Sequence, residues 1–259
     1  MLTLFRNLFS PPRHMILLVA AAWIGLIFAE KRAERQGVSK NDLTNITFYA
    51  FIAFILGGRI SFVLQNIPSF IKSPIGIISI NPDIFDLLGA AAAAFIVALI
   101  YGQRRKLLFW NTLDALTPFF AILAIGIGLS HLAAGTSFGE ETTLAWGINL
   151  WSATRHPTQI YETLASLLIF GLVWFQKQNP RPGILFLTYS ALTAASQLFI
   201  QAFHGDNTLM SNGLRQEQVV AWVILVICFA LLEYRFGSKS SRRKMSEQTN
   251  EQEPKSQHG

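Results

Sequence analysis

The sequence predicts an all-α integral membrane protein of about seven transmembrane helices, with its N-terminus outside and its C-terminus in the cytoplasm. Three observations predict it. Apolar residues make up 51% of the 259 and charged residues only 14%, where a soluble domain carries roughly a quarter charged. So few charges cannot coat a globule, and the remaining surface must meet lipid. Apolar runs of bilayer-spanning length recur along the chain, and the Lys and Arg residues are divided unevenly between the segments that join them. The formal net charge of +6 therefore does not point to nucleic acid, because the cations form short runs between apolar segments rather than one patch.

The apolar segments fall near residues 15–29, 45–64, 82–101, 108–135, 157–175, 184–204 and 217–235. Most are close to the ~20 residues that a helix needs to cross the hydrocarbon. The first is short; Lys31, Arg32, Arg35 and Lys40 follow it and no A-x-A site directly follows it, which reads as an uncleaved helix rather than a signal peptide. The fourth is long, so part of it is expected to be tilted or broken. The opening LTLFRNLF reads as an amphipathic stretch lying on the outer surface. These segments make one transmembrane domain over 1–236, and the polar residues 237–259, without apolar periodicity, are expected to form a disordered cytoplasmic tail. Cys228, the only cysteine, lies inside an apolar run, so disulfides and cysteine-based metal sites are excluded. No metal or cofactor is expected.

Orientation follows from the cations. Fifteen lie in the stretches 31–40, 104–106, 177–181 and 235–255; five (Arg6, Arg13, Lys72, Arg155 and Arg215) lie in the alternate ones, and Arg59 falls within a span. The richer set belongs in the cytoplasm. That assignment gives each intramembrane polar residue a depth. Arg59, Asp83, Asp86, His131, the cluster RHPTQIYE at 155–162, and Gln197, Gln201 and His204 all fall in the outer half. Polar groups inside a bilayer face a bundle interior or a water-filled cavity and commonly mark function. Asp114 alone falls on the cytoplasmic side, where pairing with Arg104 or Arg105 is the plain expectation. Within RHPTQIYE, Pro157 suits a first helical turn, Gln159 is placed to complete a capping box, and Arg155, Gln159 and Glu162 share one face at i, i+4 and i+7. Capping alone does not call for Arg, His and Glu together. The cluster is the candidate site, with His156 and His131 as possible bases and Arg59, Arg155, Gln159, Tyr161 and Glu162 as binding groups.

These residues resemble the bacterial prolipoprotein diacylglyceryl transferase family over residues 14–235. RHPTQIYE is close to that family's HPxQLYE motif, GGRISFVLQNIPSF at 57–70 resembles its second-helix pattern, Asp114 and Pro118 align in the fourth helix, and Gly135 and Gly139 match its signature loop. The resemblance implies a reaction in which the diacylglyceryl group of phosphatidylglycerol moves to the lipobox cysteine of a prolipoprotein signal peptide in the bacterial cytoplasmic (inner) membrane. Arg59 and Arg155 would hold the lipid phosphate, and His156 or His131 would take the thiol proton. The family signature GRxGNFxNGE reads IGLSHLAAGT here, at 127–136. Gly128 stands at the arginine, His131 and Ala134 at the asparagines, and Thr136 at the glutamate; the HGG motif before the third helix is absent. A second reading therefore stays open, that of a catalytically inactive paralogue that binds phospholipid or lipoprotein signal sequences.

Overall fold

The structure, a computed structural model, describes residues 13–72, 85–177, 181–205 and 214–252. Its helices are α1 (Arg13–Ala33), α2 (Lys40–Gln65), the short α3 (Ile67–Lys72), α4 (Leu87–Arg104), α5 (Phe109–Ala134), α6 (Thr158–Phe175), α7 (Ile184–Ile200) and α8 (Gln216–Gln252). A two-stranded antiparallel hairpin, β1 (Ile148–Leu150) and β2 (Ala153–Arg155), interrupts them before α6. Among the described residues, seven helices are long and apolar enough to cross a membrane, and large apolar side chains such as Trp23, Leu88 and Phe175 point outward. This is the all-α multi-pass architecture that composition predicts.

The boundaries differ from the sequence expectation in instructive places. The third span begins at Leu87, not at 82, because Asp86 caps it by accepting a hydrogen bond from the Gly89 amide at 3.0 Å. The fourth is one continuous helix of 26 residues, although Pro118 lies inside it and cannot donate a backbone hydrogen bond. Half of its apolar window is buried, the largest share of any span. The backbone of α8 is helical as far as Gln252. The expected amphipathic opening, and Asp83, lie outside the described residues.

The chain divides into two compact units. The second unit, Leu26–Leu116, is built on α2 packed against α4. Small residues make that contact possible: a Cβ on Gly57 would stand 2.2 Å from the Ala93 Cβ, and one on Gly89 would stand 2.2 Å from the Ser61 Cβ. In a bilayer, such close approach replaces the hydrophobic drive that water would supply. Gly37, at φ +68°, makes the turn between α1 and α2. At the far end Asp42 accepts from Arg105 Nε (2.8 Å) and from the Tyr101 hydroxyl (3.1 Å). Asp42, not Asp114, is thus the partner of Arg105, and Asp114 is buried where it acts on the buried Arg32. The Asp42 hydrogen bond raises the Arg105 guanidinium above its ordinary value.

The first unit, residues up to Gly25 together with Thr117 onward, pairs α6 with α7 and α7 with α8. Ile169 and Val173 of α6 and Leu185 of α7 form a small core, with Tyr189 and Leu192 against it. This unit carries the candidate site.

Candidate functional site

Everything at the site depends on how the chain leaves α5 and enters α6. Gly135, at φ +70°, ends α5 in the left-handed conformation that glycine adopts without strain. The first turn of α6 then reaches back to that exit. Thr158 Oγ1 donates to the Ser137 carbonyl (2.7 Å) and Gln159 Nε2 donates to the Thr136 carbonyl (2.9 Å), and both side chains are fully buried. Gln159 therefore does not complete a capping box, as its spacing suggested; it bonds a backbone 23 residues earlier. Its Oε1 is buried without a donor among the described residues.

One turn further into α6, Glu162 lies between two histidines. His131 Nδ1, from the last turns of α5, is 3.2 Å from Glu162 Oε2, and His204 Nε2, beyond α7, is 3.3 Å from Glu162 Oε1. The three differ in access: the His131 side chain is 34% exposed, that of Glu162 9% and that of His204 2%. A buried carboxylate is costly unless it is paired, and here both oxygens face an imidazole. With His131 Nδ1 turned to the carboxylate, its other ring nitrogen is the one left to accept a proton.

Arg155 is not on α6, so it does not share a helix face with Gln159 and Glu162. It ends β2, opposite Ile148 in the hairpin. Its guanidinium lies 3.3 Å from the exposed Glu141 carboxylate, donates to the Gly139 carbonyl and stacks over the Phe138 ring. Arg155 Nε is buried without an acceptor among the described residues. The hairpin displaces Arg155 from the helix, and its two-residue turn, Trp151–Ser152, has both residues at positive φ (+54° and +66°). That turn type normally carries Asn-Gly or Asp-Gly, so Trp-Ser does not announce it.

His156 follows the hairpin. Its amide donates to the Glu140 carbonyl (3.0 Å), its ring packs on Phe203, and its Nδ1 is 3.5 Å from the Tyr161 hydroxyl. That hydroxyl also accepts from Trp146 Nε1 (2.9 Å). The structure thus brings together His131, Glu162 and His204 in one group and His156 with Tyr161 in another. Arg59 belongs to the second unit, half-buried on α2.

The description of prolipoprotein diacylglyceryl transferase matches residues 13–234. The chain belongs to the prolipoprotein diacylglyceryl transferase family. Among its relatives is a protein of Oceanobacillus iheyensis, 25% identical over 244 residues that cover 88% of this chain and 85% of that one. One of Trichormus variabilis is 27% identical over 242 residues, covering 86% and 85%. One of Clostridioides difficile is 26% identical over 235 residues, covering 90% and 93%. All three are named phosphatidylglycerol–prolipoprotein diacylglyceryl transferase.

Against that family the altered signature takes on a structural meaning. Gly128, at the family's arginine, abuts α6: a Cβ there would meet Thr163 Oγ1 at 2.5 Å and the Thr163 amide nitrogen at 3.0 Å. His131, at an asparagine, is a partner of Glu162. Thr136, at the glutamate, lends only its carbonyl, to Gln159. Sequence reasoning missed Glu140 and Arg215. Arg215 donates to the carbonyls of Gln201 and His204 and pairs with Glu140, whose amide donates to the Phe203 carbonyl (2.8 Å). The cue was the Glu140–Glu141 pair, two carboxylates upstream of a cationic motif, but the partner of Glu140 lies 75 residues away.

Proposed function

We propose that this protein transfers the diacylglyceryl group of phosphatidylglycerol to the lipobox cysteine of a prolipoprotein signal peptide, at the outer side of the bacterial cytoplasmic membrane. Family membership and the names of the relatives support the reaction class. The observation that carries the reading for this chain is the His131–Glu162–His204 group, whose carboxylate ends the RHPTQIYE cluster. The charge asymmetry of the connections supports an N-terminus outside and a cytoplasmic C-terminus.

The step needs a thiolate, and an unperturbed thiol, with a pKa near roughly 8.5, is mostly protonated at neutral pH. His131 is the favoured base. Its Nδ1 faces the Glu162 carboxylate, which fixes the tautomer, and its ring is partly exposed. His156 is the weaker candidate, since its Nδ1 meets only a hydroxyl, at 3.5 Å. The cysteine proton passes to His131 and the sulfur forms a bond to the glycerol carbon. The bond from that carbon to the phosphate oxygen breaks, and glycerol phosphate leaves with that oxygen. Arg155 is proposed to hold the phosphate, which would displace the exposed Glu141; Arg59, in the second unit, is proposed separately as a phospholipid-binding group. Gln159 and Tyr161 are proposed to support the headgroup side of the site.

A second reading, a binding-only paralogue, is favoured by one observation: the tight packing of Gly128 on Thr163 leaves no room for the family's arginine. The two readings separate in one assay. Labelled diacylglycerol should pass from phosphatidylglycerol to a lipobox peptide, with glycerol phosphate released in equal amount. No turnover where another family member works would favour the second reading. Orientation is checked by an impermeant thiol reagent on Thr143→Cys in intact cells and a cytoplasm-dependent reporter fused after Gly259.

A further inference from the structure

The segment between Glu141 and Arg155, TTLAWGINLWSAT, runs for thirteen residues without a charge. It is not a buried loop: Leu144 is 39% exposed, Trp146 61% and Trp151 66%. A loop facing bulk water would carry charge at this length, and exposed apolar patches of this kind mark an interaction surface. Its position narrows the partner. It leaves the end of α5 at Ala134 and returns to the start of α6 at Thr158, both ends of membrane-length helices. The helix ends that flank it belong at the level where hydrocarbon gives way to headgroups.

The side chains are arranged for that level. Trp146 Nε1 donates to the Tyr161 hydroxyl and Trp151 Nε1 to the Gly135 carbonyl, at 2.9 and 3.0 Å, so each indole has its one donor satisfied while most of its ring stays exposed. An apolar ring with a satisfied polar edge is the group that collects at membrane interfaces. The hairpin is two-sided: Asn149 and Thr154, paired across the strands, are exposed and joined by a hydrogen bond of 2.9 Å, while Ile148, Leu150 and Ala153 are half-buried. At its tip Trp151 adopts φ +54°, a conformation that costs about 1–2 kcal/mol for a residue with a Cβ. A glycine or asparagine would avoid that cost. The exposed Leu129 and Leu132 on the last turns of α5 continue the apolar surface toward the membrane-spanning part.

We infer that the Trp151–Ser152 hairpin tip, with Trp146, inserts into the interface of the lipid bilayer and anchors the loop that carries Arg155 and His156. The partner is the bilayer surface itself, recognised by two indoles and an uncharged backbone. Insertion would set the height of β2, and with it the level at which Arg155 meets a lipid headgroup. The anchor stands whether or not the protein turns over substrate.

The test uses the full chain in phosphatidylglycerol–phosphatidylethanolamine vesicles. Cys228→Ser removes the only native thiol, and Ser152→Cys carries a nitroxide. The label should collide readily with oxygen and be shielded from a water-soluble nickel chelate, as a lipid-embedded label is. Adding Trp151→Ser should abolish the shielding, whereas Trp151→Tyr, which keeps an interfacial aromatic group, should retain it. Because Trp151→Ser also removes the bond to Gly135, Trp146→Ser serves as an independent second variant, and circular dichroism verifies the helices in each. A label at 152 as open to the nickel chelate as one in bulk water would overturn the inference. So would shielding that appears only when a lipobox peptide is added, which would make the hairpin a peptide-docking surface instead.

Discussion

The contact between α2 and α4 and the junction between α5 and α6 solve the same problem by opposite means. In the first, helices come close because side chains are absent: Gly57 and Gly89 leave room for Ala93 and Ser61. In the second, the helix ends are tied by long polar side chains that cross to a distant backbone, as Gln159 does to Thr136 and Thr158 to Ser137. Packing by omission has no atoms to spare for chemistry. Joining by polar side chains places carboxylate, imidazole and guanidinium together as a by-product of holding the fold. Substitutions in the two regions should therefore fail differently, the first in stability and the second in turnover or binding.

The largest effect is expected at His131. His131→Ala should lower transfer to a lipobox peptide by ~10²–10⁴-fold, the usual value of a positioned base, with the helical content unchanged. His156→Ala should cost less; equal losses in the two variants would erase the distinction drawn from Glu162. Next comes Arg155→Gln. It should weaken phosphatidylglycerol binding by ~1.5–3 kcal/mol, the range for a hydrogen bond to a charged group, measured by lipid titration of purified protein. Arg59→Gln is expected to act in the same direction.

Gly57→Leu tests the other side of the comparison. The added side chain has no room beside Ala93, and over-packing of this kind costs about 1–3 kcal/mol. The melting temperature in detergent should fall, while the turnover of protein that remains folded should stay near wild type. The smallest effect is expected at Asp86. Ser61 first, and then the Gly89 amide, hold its carboxylate below the usual carboxylate range. A depressed folded-state pKa contributes stability that is present above the unfolded value of about 3.9 and is lost as pH falls through the folded value. The melting temperature of the wild type should therefore drop more steeply than that of Asp86→Asn as pH falls below about 4.

Much of this was legible from residues alone. Spans followed from apolar length, and cation counts with helix rise assigned Arg59, Asp83, Asp86, His131, residues 155–162, Gln197, Gln201 and His204 to the outer half; of these, His131, Glu162 and His204 meet. What spacing cannot convey is who meets whom. Arg155 was read onto a helix face because a Trp-Ser turn at positive φ carries none of the usual hairpin chemistry. Gln159 was read as a local cap because its bond to Thr136 crosses 23 residues. Asp114 was paired with its sequence neighbours, whereas Arg105 turned to Asp42, 63 residues away. In each case the partner came from a different element, and a periodic pattern reports only its own element.

The fit of Gly128 against Thr163 also bears on how this chain could change. Restoring an arginine at 128 would drive its Cβ into the Thr163 hydroxyl. Shrinking Thr163 to glycine clears the hydroxyl but not the main chain, since the amide nitrogen and Cα of residue 163 would still lie 3.0 and 3.2 Å from the new Cβ. The α6 backbone would still have to give by a few tenths of an ångström. Thr163→Gly alone would thus relieve the clash with the hydroxyl but not the close approach of the two helices at Gly128.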